Sequence, residues 1–518
     1  MPSTDVDQEQ KTQLPSVEKT PAKSLSGARA ILISTLIVLT QLVQMIPLGT
    51  GIGAAVTISE DVGVDPTRGS WIAASYPLTQ GAFVLIGGRI GSVYGHKNTL
   101  LAAGIWWITF SLISGFMTNF IALCVLRGLT GIGGAFMVPN AIALLTINFP
   151  PGKLRNITVA FFGAMAPIGA AGGGIFAGFF VQLTQWKWLF FFLAILGAFV
   201  FTAFALVVPG EPEPFDKDGK IDYVGAYLGV GGLILFNFAW KYDPLCHIIV
   251  CLKADSSAKQ SQAPAVGWKE PYEYSLLIVS ILHILAFIFW EWKVAKEPIM
   301  PLTIWAAPSF GLVILVCFLT IMAVGIVLWY VTLYNQVLRH YTIFASAATY
   351  VPLAVMGAVA AFLSSWAVSR LPAQYILACG SLASCGACIL VATSPARQIY
   401  WAQLFPAMIL TAFGPDLIFT ASQIIASNSV RRDQQGIAGS LMGTTISYGL
   451  STGLGFAGTV ERYTNDGGTD IHKGYSNALW LGVGMSGLAA LIALTSVRVP
   501  KDEREGWDED DTSAPVSG

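Results

Sequence analysis

Apolar runs the length of a membrane-spanning helix, separated by short polar turns, recur from one end of the chain to the other. Fourteen can be marked, near 30–52, 71–90, 99–118, 121–147, 157–182, 188–208, 222–240, 273–292, 309–331, 342–365, 373–393, 399–426, 434–458 and 474–496. About 20 apolar residues cross a bilayer as a helix. Strand-like alternation is lacking, and in hydrocarbon only helices and closed barrels satisfy every backbone group. The pattern predicts an all-α polytopic membrane protein.

Composition agrees. Of 518 residues 54% are hydrophobic and only 11% charged, too little charge to cover a soluble surface of this size. A net charge of −1 points to no nucleic-acid partner. The polar stretches at residues 1–27 and 498–518 read as disordered tails, and no cleavable signal peptide is visible in the first of them. Fourteen spans put both tails on one side. If that side is the cytoplasm, it receives 18 Lys and Arg against 10 outside, with Arg127 left inside a span, so both termini are read as cytoplasmic. Five of the seven cysteines (Cys124, Cys317, Cys379, Cys385 and Cys388) fall within spans, as packing residues.

One loop is out of scale. Residues 241–272, between spans seven and eight, hold Cys246, His247 and Cys251, three ligand types without a fourth and so a poor metal site. Lys241-Tyr242 can be encoded with the GTAT of an intron start and Gln260-Ser261 with a terminal AG. Excision keeps the frame and leaves "FNFAW-N-QAPAVGW", so 241–261 is readable as a retained intron.

Several polar and small residues then stand out. "GGRIGSVYGHKNTL" (87–100) is a short inner turn in which Gly88, Gly91 and Gly95 allow close approach. Arg89, His96 and Lys97 lie there where the inside is positive, and plain topology-setting charge is an alternative reading. Arg127 opens "RGLTGIGGAFMVPNA" with a full charge in an apolar span, a functional candidate by cost alone, or a side chain snorkelling to the interface. "GAMAPIGAAGGGIFAGFF" stacks Gly169/Gly173 and Gly174/Gly178, small-xxx-small pairs that let helices touch. Asp416, in "GPDLIFTASQIIASNSV", is the acid placed well inside a span, with Thr420 and Gln423 on its face. A carboxylate isolated in an apolar span is costly to ionise unless paired. That suits a proton carrier, and a structural acid bonded to nearby backbone is the other reading. Glu291 reads as an interfacial anchor and His283 as a packing residue. Gln41, Gln44, Tyr76, Gln80, Asn140, Tyr330, Tyr334, Asn335 and Gln336 are the remaining polar groups in spans; Gln44, Tyr76, Gln80, Asn140, Asn335 and Gln423 are taken as candidates to line a substrate cavity.

Residues 88–97 resemble the signature loop of the major facilitator superfamily, G-x-L-A-D-R-x-G-R-R, at Gly88, Ile90, Gly91, Gly95 and Lys97. Ser92 stands where that family has its acid and Val93 where it has its first Arg. The resemblance implies a loop that clamps the outward-facing state, here with its charge relay weakened and glycine packing carrying more. Arg127, Gly131 and Gly133 match the antiporter motif R-x-x-Q-G-x-G, with Thr130 for Gln. Gly169, Gly173 and Gly174 match G-P-x-L-G-G of the drug/proton antiporters, with Ala170 for Pro, and "WKWLF" resembles the W-R-W-x-F that follows it in the fourteen-helix branch. "FGPDLIFTASQIIASNSV", "QGIAGSL", "GFAGTVE" and "GWKEPYEY" narrow the likeness to the fungal aminotriazole-resistance and boron-efflux group.

What the resemblance implies is a six-helix bundle at 28–208, linking helices seven and eight at 209–298 and a second six-helix bundle at 299–497, with a central cavity and alternating access. It implies a monomer exporting small toxic molecules of the drug, azole-like or borate class in exchange for protons. Asp416 and Arg127 would be the coupling pair, and the plasma membrane (or the vacuolar membrane) the location. The branch commonly has an acid in helix one, within L-D-x-T-x-x-N; this chain has "QMIPLGTGIGAAVTI" instead. That keeps an uncoupled facilitator of a small neutral solute in view, and a non-transporting sensor of the same fold. No cofactor, metal cluster, phosphate loop or paired catalytic constellation is seen, so no enzyme is expected.

Overall fold

The protein was analysed as a computed structural model that describes residues 27–64, 66–149, 153–210, 214, 216–217, 219–240, 271–300, 302–306, 309–368, 370–428 and 435–498. The two tails, the loop with Cys246, His247 and Cys251, the 241–261 intron reading and the side chains of Thr420 and Gln423 lie outside what is described.

Among the described residues the regular structure is helical, without strands. The first six helices are α1 Gly27–Asp61, α2 Ser70–Tyr94, α3 His96–Ser114, α4 Phe120–Asn148, α5 Lys153–Leu183 and α6 Lys187–Val207. Then come α7 Tyr223–Trp240 and α8 Pro271–Lys293. The last group is α9 Phe310–Leu333, α10 Ile343–Ala348, α11 Val351–Val368, α12 Ala373–Ala392, α13 Leu404–Asn428, α14 Gln435–Thr464 and α15 Ile471–Thr495. The apolar run at 342–365, read as one span, is broken after α10. Pro352, in the first turn of α11, has no N–H to continue the preceding helix, whereas its fixed φ suits a helix start.

Among the described residues ten helical segments are long and apolar enough to cross a membrane; α2, α3, α13 and α14 fall below that measure. For α2 and α14 part of the reason is visible, because small residues there are spent on close helix contacts, Gly81 and Gly88 of α2 against α14 and Gly453 of α14 against α9. A Cβ on Gly81 of α2 would lie 2.5 Å from the Tyr448 backbone nitrogen of α14, so only glycine permits this approach. At the other extreme, 11% of the apolar stretch of α8 is buried. Leu282, Leu285 and Phe289 stand exposed on it, a surface that only lipid or another apolar partner can cover.

Helix packing repeats. In the first group α1 lies on α5, α2 on α4, and α3 on both α4 and α6. In the last group α9 lies on α14, α11 on α13, and α12 on both α13 and α15. Counting α10 and α11 as one broken member, these are the same partnerships in the same order. Two further seams join the groups, α2 with α14 and α5 with α10 and α11, and each is the counterpart of the other. The arrangement is that of two parallel repeats facing each other. Helices α7 and α8 pair with one another, and α7 leans on the α2–α14 seam. There Asn237, 1% exposed, donates to Thr452 Oγ1 (3.2 Å) and accepts from Ser451 Oγ (3.2 Å).

Candidate functional site

The turn between α2 and α3 is built by Gly95, whose φ of +94° and ψ of 132° end one helix and begin the next within a single residue. Such a conformation is strained for any residue with a Cβ. Beside it, Gly91 leaves room for a polar pair. His96 and Asn140 of α4 are joined through Nδ1 and Oδ1 at 2.7 Å, and Asn140 Nδ2 donates to the carbonyls of Gly87 (3.0 Å) and Phe136 (2.6 Å). Lys97 Nζ donates to the Ala205 carbonyl (3.1 Å) in the last turn of α6, where a helix presents its negative end. Gly88 faces Ser440 of α14, so the turn also abuts the last helix group.

Ser92 leaves the turn without the family's acid, and Arg89 meets its acids outside the turn. Arg89 Nη1 meets Asp216 Oδ2 at 2.7 Å and Nη2 meets Glu297 Oε2 at 2.5 Å. Glu297 Oε2 also accepts from the Lys220 amide (2.7 Å), and the Asp216 amide donates to the Ser92 carbonyl (3.1 Å). Asp216 precedes α7 and Glu297 follows α8, so Arg89 ties both ends of the linking pair to the turn. Sequence reading missed both acids because neither lies in a span or motif. The available signal was topological: the charge assignment puts them on the same side of the membrane as Arg89.

Arg127 does not snorkel. It is 2% exposed and turns inward, Nε donating to the Ile72 carbonyl (2.7 Å) and Nη2 to the Pro47 carbonyl (2.8 Å). One guanidinium thus fastens α4 to α1 and α2, helped by Thr79 Oγ1 donating to the Gly128 carbonyl (2.6 Å). Gly131 and Gly133 give α4 its close contacts, the first with Tyr76 and Thr79 of α2, the second with Ala103 and Trp107 of α3. On α5 the glycines divide. Gly169 and Gly173 press on α1 at Leu42, Met45, Ile46 and Gly49, and Gly178 presses on Phe344 of α10. Gly174 instead opens onto a small apolar recess shared by α1, α5, α9, α10 and α11 and lined in part by Gly49, Gly53, Ser346 and Tyr350.

Asp416 sits at the centre of α13, and the apolar run before it is shorter than the sequence suggested, since the helix starts at Leu404. It is 8% exposed. Its Oδ2 lies against Gly357 of α11, and Gly357 also lies against the ring of Pro167 in α5. The carboxyl group is therefore placed at mid-helix, beside the α5–α11 seam between the two helix groups. Arg127 is elsewhere, its hydrogen bonds both made to α1 and α2 of its own group.

Of the residues chosen as cavity candidates, Gln44, Tyr76 and Gln80 are brought together, whereas Asn140 and Asn335 bond to other elements. Gln80 Nε2 donates to Gln44 Oε1 (2.5 Å), Gln44 Nε2 to Gln41 Oε1 (2.7 Å) and Tyr76 OH to the Gln44 carbonyl (2.7 Å). These side chains form a closed chain that stitches α1 to α2, and Gln44 and Tyr76 are fully buried. Asn140 belongs to the α2–α3 turn. Asn335, also fully buried, donates to Thr349 Oγ1 (3.0 Å) in the last group. Glu291 is 5% exposed, its Oε2 accepting from the Met300 amide at 3.1 Å. Cys124, Cys317 and Cys388 are buried and free of disulfides.

Residues 37–455 match the model of the Major Facilitator Superfamily. The chain is 36% identical to the low affinity ammonium transporter of Saccharomyces cerevisiae over 82% of its own length and 80% of the relative's. It is 33% identical to efflux pump terJ of Aspergillus terreus, covering 91% of this chain and 88% of that one. It is also 33% identical to the aminotriazole resistance protein of S. cerevisiae, covering 84% and 78%. A multi-pass helical membrane protein with this family match, and with transporters rather than enzymes among its relatives, belongs to the major facilitator superfamily.

Proposed function

We propose that this protein is a fourteen-helix transporter that exports small toxic molecules of the drug, azole-like or borate class from a fungal cell. It works by proton antiport, with alternating access between the bundles 28–208 and 299–497 about the linking pair α7–α8. Both termini lie in the cytoplasm, and the plasma membrane is the working location. The observation that carries this reading is the placement of Asp416 at mid-helix beside the seam that must open and close. A carboxyl group there exchanges its proton with whichever side the seam exposes, and its charge state then biases the seam in turn. The names of two relatives, an efflux pump and an aminotriazole resistance protein, support export over uptake.

A second reading is an uncoupled facilitator of a small solute. It is favoured by α1, whose "QMIPLGTGIG" lacks the acid common in the antiporter branch, and by the relative named as a low affinity ammonium transporter. The deciding experiment is efflux of boric acid or 3-aminotriazole from a pump-deficient yeast, with external pH stepped and Asp416→Asn compared with wild type. Antiport predicts efflux that strengthens with an inward proton gradient and loses that response in Asp416→Asn. Efflux indifferent to pH and to the substitution establishes the facilitator instead.

A further inference from the structure

The end of α9 departs from α-helical geometry. Over Tyr334–Leu338 the turn is a π-helix, the Arg339 amide donating to the Tyr334 carbonyl (2.9 Å) five residues back. Such turns re-aim side chains and are common at functional positions. This one is fixed to the last helix group on three sides. Arg339 Nε donates to the Ala396 carbonyl (3.1 Å) and Nη2 to Ser394 Oγ (3.0 Å). The Tyr334 ring packs on Tyr475 and His472, and Asn335 holds Thr349.

Gln336 points the other way. Its Nε2 donates to the Gly53 carbonyl of α1 at 2.9 Å, crossing from the last helix group to the first. Around it the groups are shut against each other. A Cβ on Gly178 of α5 would lie 2.8 Å from Phe344 Cα of α10. The small recess lined by Gly53, Gly174, Ser346 and Tyr350 lies at the same level.

The Gln336 amide is only half satisfied, for its Oε1 is buried without a partner. A buried acceptor left unpaired offsets part of what the one bond from Nε2 contributes. Parting α1 from α9 would break that bond and hydrate both ends of the amide. A tie of this kind has direction and is no stronger than one hydrogen bond, which is what a reversible gate requires. We propose that Gln336 is the latch of the gate at the end of the molecule away from the N-terminus of α1, holding the π-turn to α1 in this closed state. The inference rests on the alternating-access reading and extends it to a named residue.

The test uses the purified full-length chain in detergent, where both ends are accessible, carrying Ser346→Cys. Ser346 is 2% exposed and lines the recess. Its labelling rate with a bulky water-soluble maleimide is measured against the same chain without the new cysteine, which gives the background from the native ones. Adding Gln336→Glu or Gln336→Met is expected to raise the rate about tenfold, one hydrogen bond's worth of gate equilibrium. Val337→Ala, on the same turn, is expected to leave the rate unchanged. Should Gln336→Glu fail to purify as a single species, Gln336→Met keeps the side-chain length and carries the test. Equal rates with and without the Gln336 substitutions overturn the latch, and so does equal acceleration by Val337→Ala, which would be general loosening. No substrate or proton enters this measurement, so its failure leaves the transport proposal standing, and a failed efflux assay leaves the latch standing.

Discussion

Asp416 and Gly357 touch across the gap between α13 and α11: a Cβ built on Gly357 would lie 3.3 Å from Asp416 Oδ2 and 2.6 Å from Pro167 Cβ. The missing side chain is therefore what lets α5 and α11 meet at the depth of the acid. The proline ring is rigid and cannot swing away from an added methyl, so Gly357→Ala must push the two helices apart. Overpacking of this kind costs about 1–3 kcal/mol, and it falls on the seam that the proposed cycle opens. The expected outcome is transport reduced about tenfold or more, with a modest fall in melting temperature, as one to two kcal/mol on a barrier implies. Parallel efflux and thermal-melt measurements check it. Transport at the wild-type rate would mean that the α5–α11 contact does not control the cycle.

Arg127 separates a structural role from a functional one in a different way. Its two partners are backbone carbonyls of α1 and α2 rather than a carboxylate, so replacing it strands no opposite charge. An apolar side chain of similar length avoids the desolvation cost that the guanidinium carries, which offsets the two hydrogen bonds it gives up. Arg127→Met is therefore expected to melt within a few degrees of wild type, or above it, while losing at least about tenfold in transport if the fork must release Pro47 or Ile72 during the cycle. Purified-protein melting and efflux from cells decide between them. Unchanged efflux with Arg127→Met makes the residue a tie and nothing more.

How much of this was legible beforehand depends on the range of the signal. Span positions, the broken character of Gly95 and the close packing at Gly169 and Gly173 are local: each follows from runs of apolar residues or from small residues at helical spacing. Arg127 and Asp416 were legible as costly charges, because cost is a property of the residue and its flanks. What they touch was not. That Arg127 turns inward, that Asp416 reaches Gly357 and that Gln44, Tyr76 and Gln80 close on one another depend on which helix packs where. Asp216 and Glu297 were missed for the same reason, and Gln336, marked only as a polar group in a span, was not chosen as a site candidate. Each acts on a residue far off in the chain, and neither loop acids nor a helix-end glutamine carry any period that marks them.

Arg89 offers a prediction in which solvent does the discriminating. Its side chain is 20% exposed and those of Asp216 and Glu297 are 43% and 41% exposed, so water and salt reach the pairs. Exposed ion pairs contribute about 0.2–1 kcal/mol each, and the screening length shrinks from about 10 Å at 0.1 M salt to about 3 Å at 1 M. Arg89→Gln should therefore lower the melting temperature by only a few degrees at low salt, and by clearly less at 1 M. Arg89→Lys keeps the charge without the fork that spans two carboxylates, and should fall between wild type and Arg89→Gln. The sharper test is a cycle with Glu297→Gln: once that partner is gone, removing Arg89 should cost less than it does in the wild type, because contacting groups are not additive. Additive losses, or a loss from Arg89→Gln that ignores salt, would mean that the turn is held by packing at Gly88 and Gly91 and that the linking pair α7–α8 is not tied to it by charge.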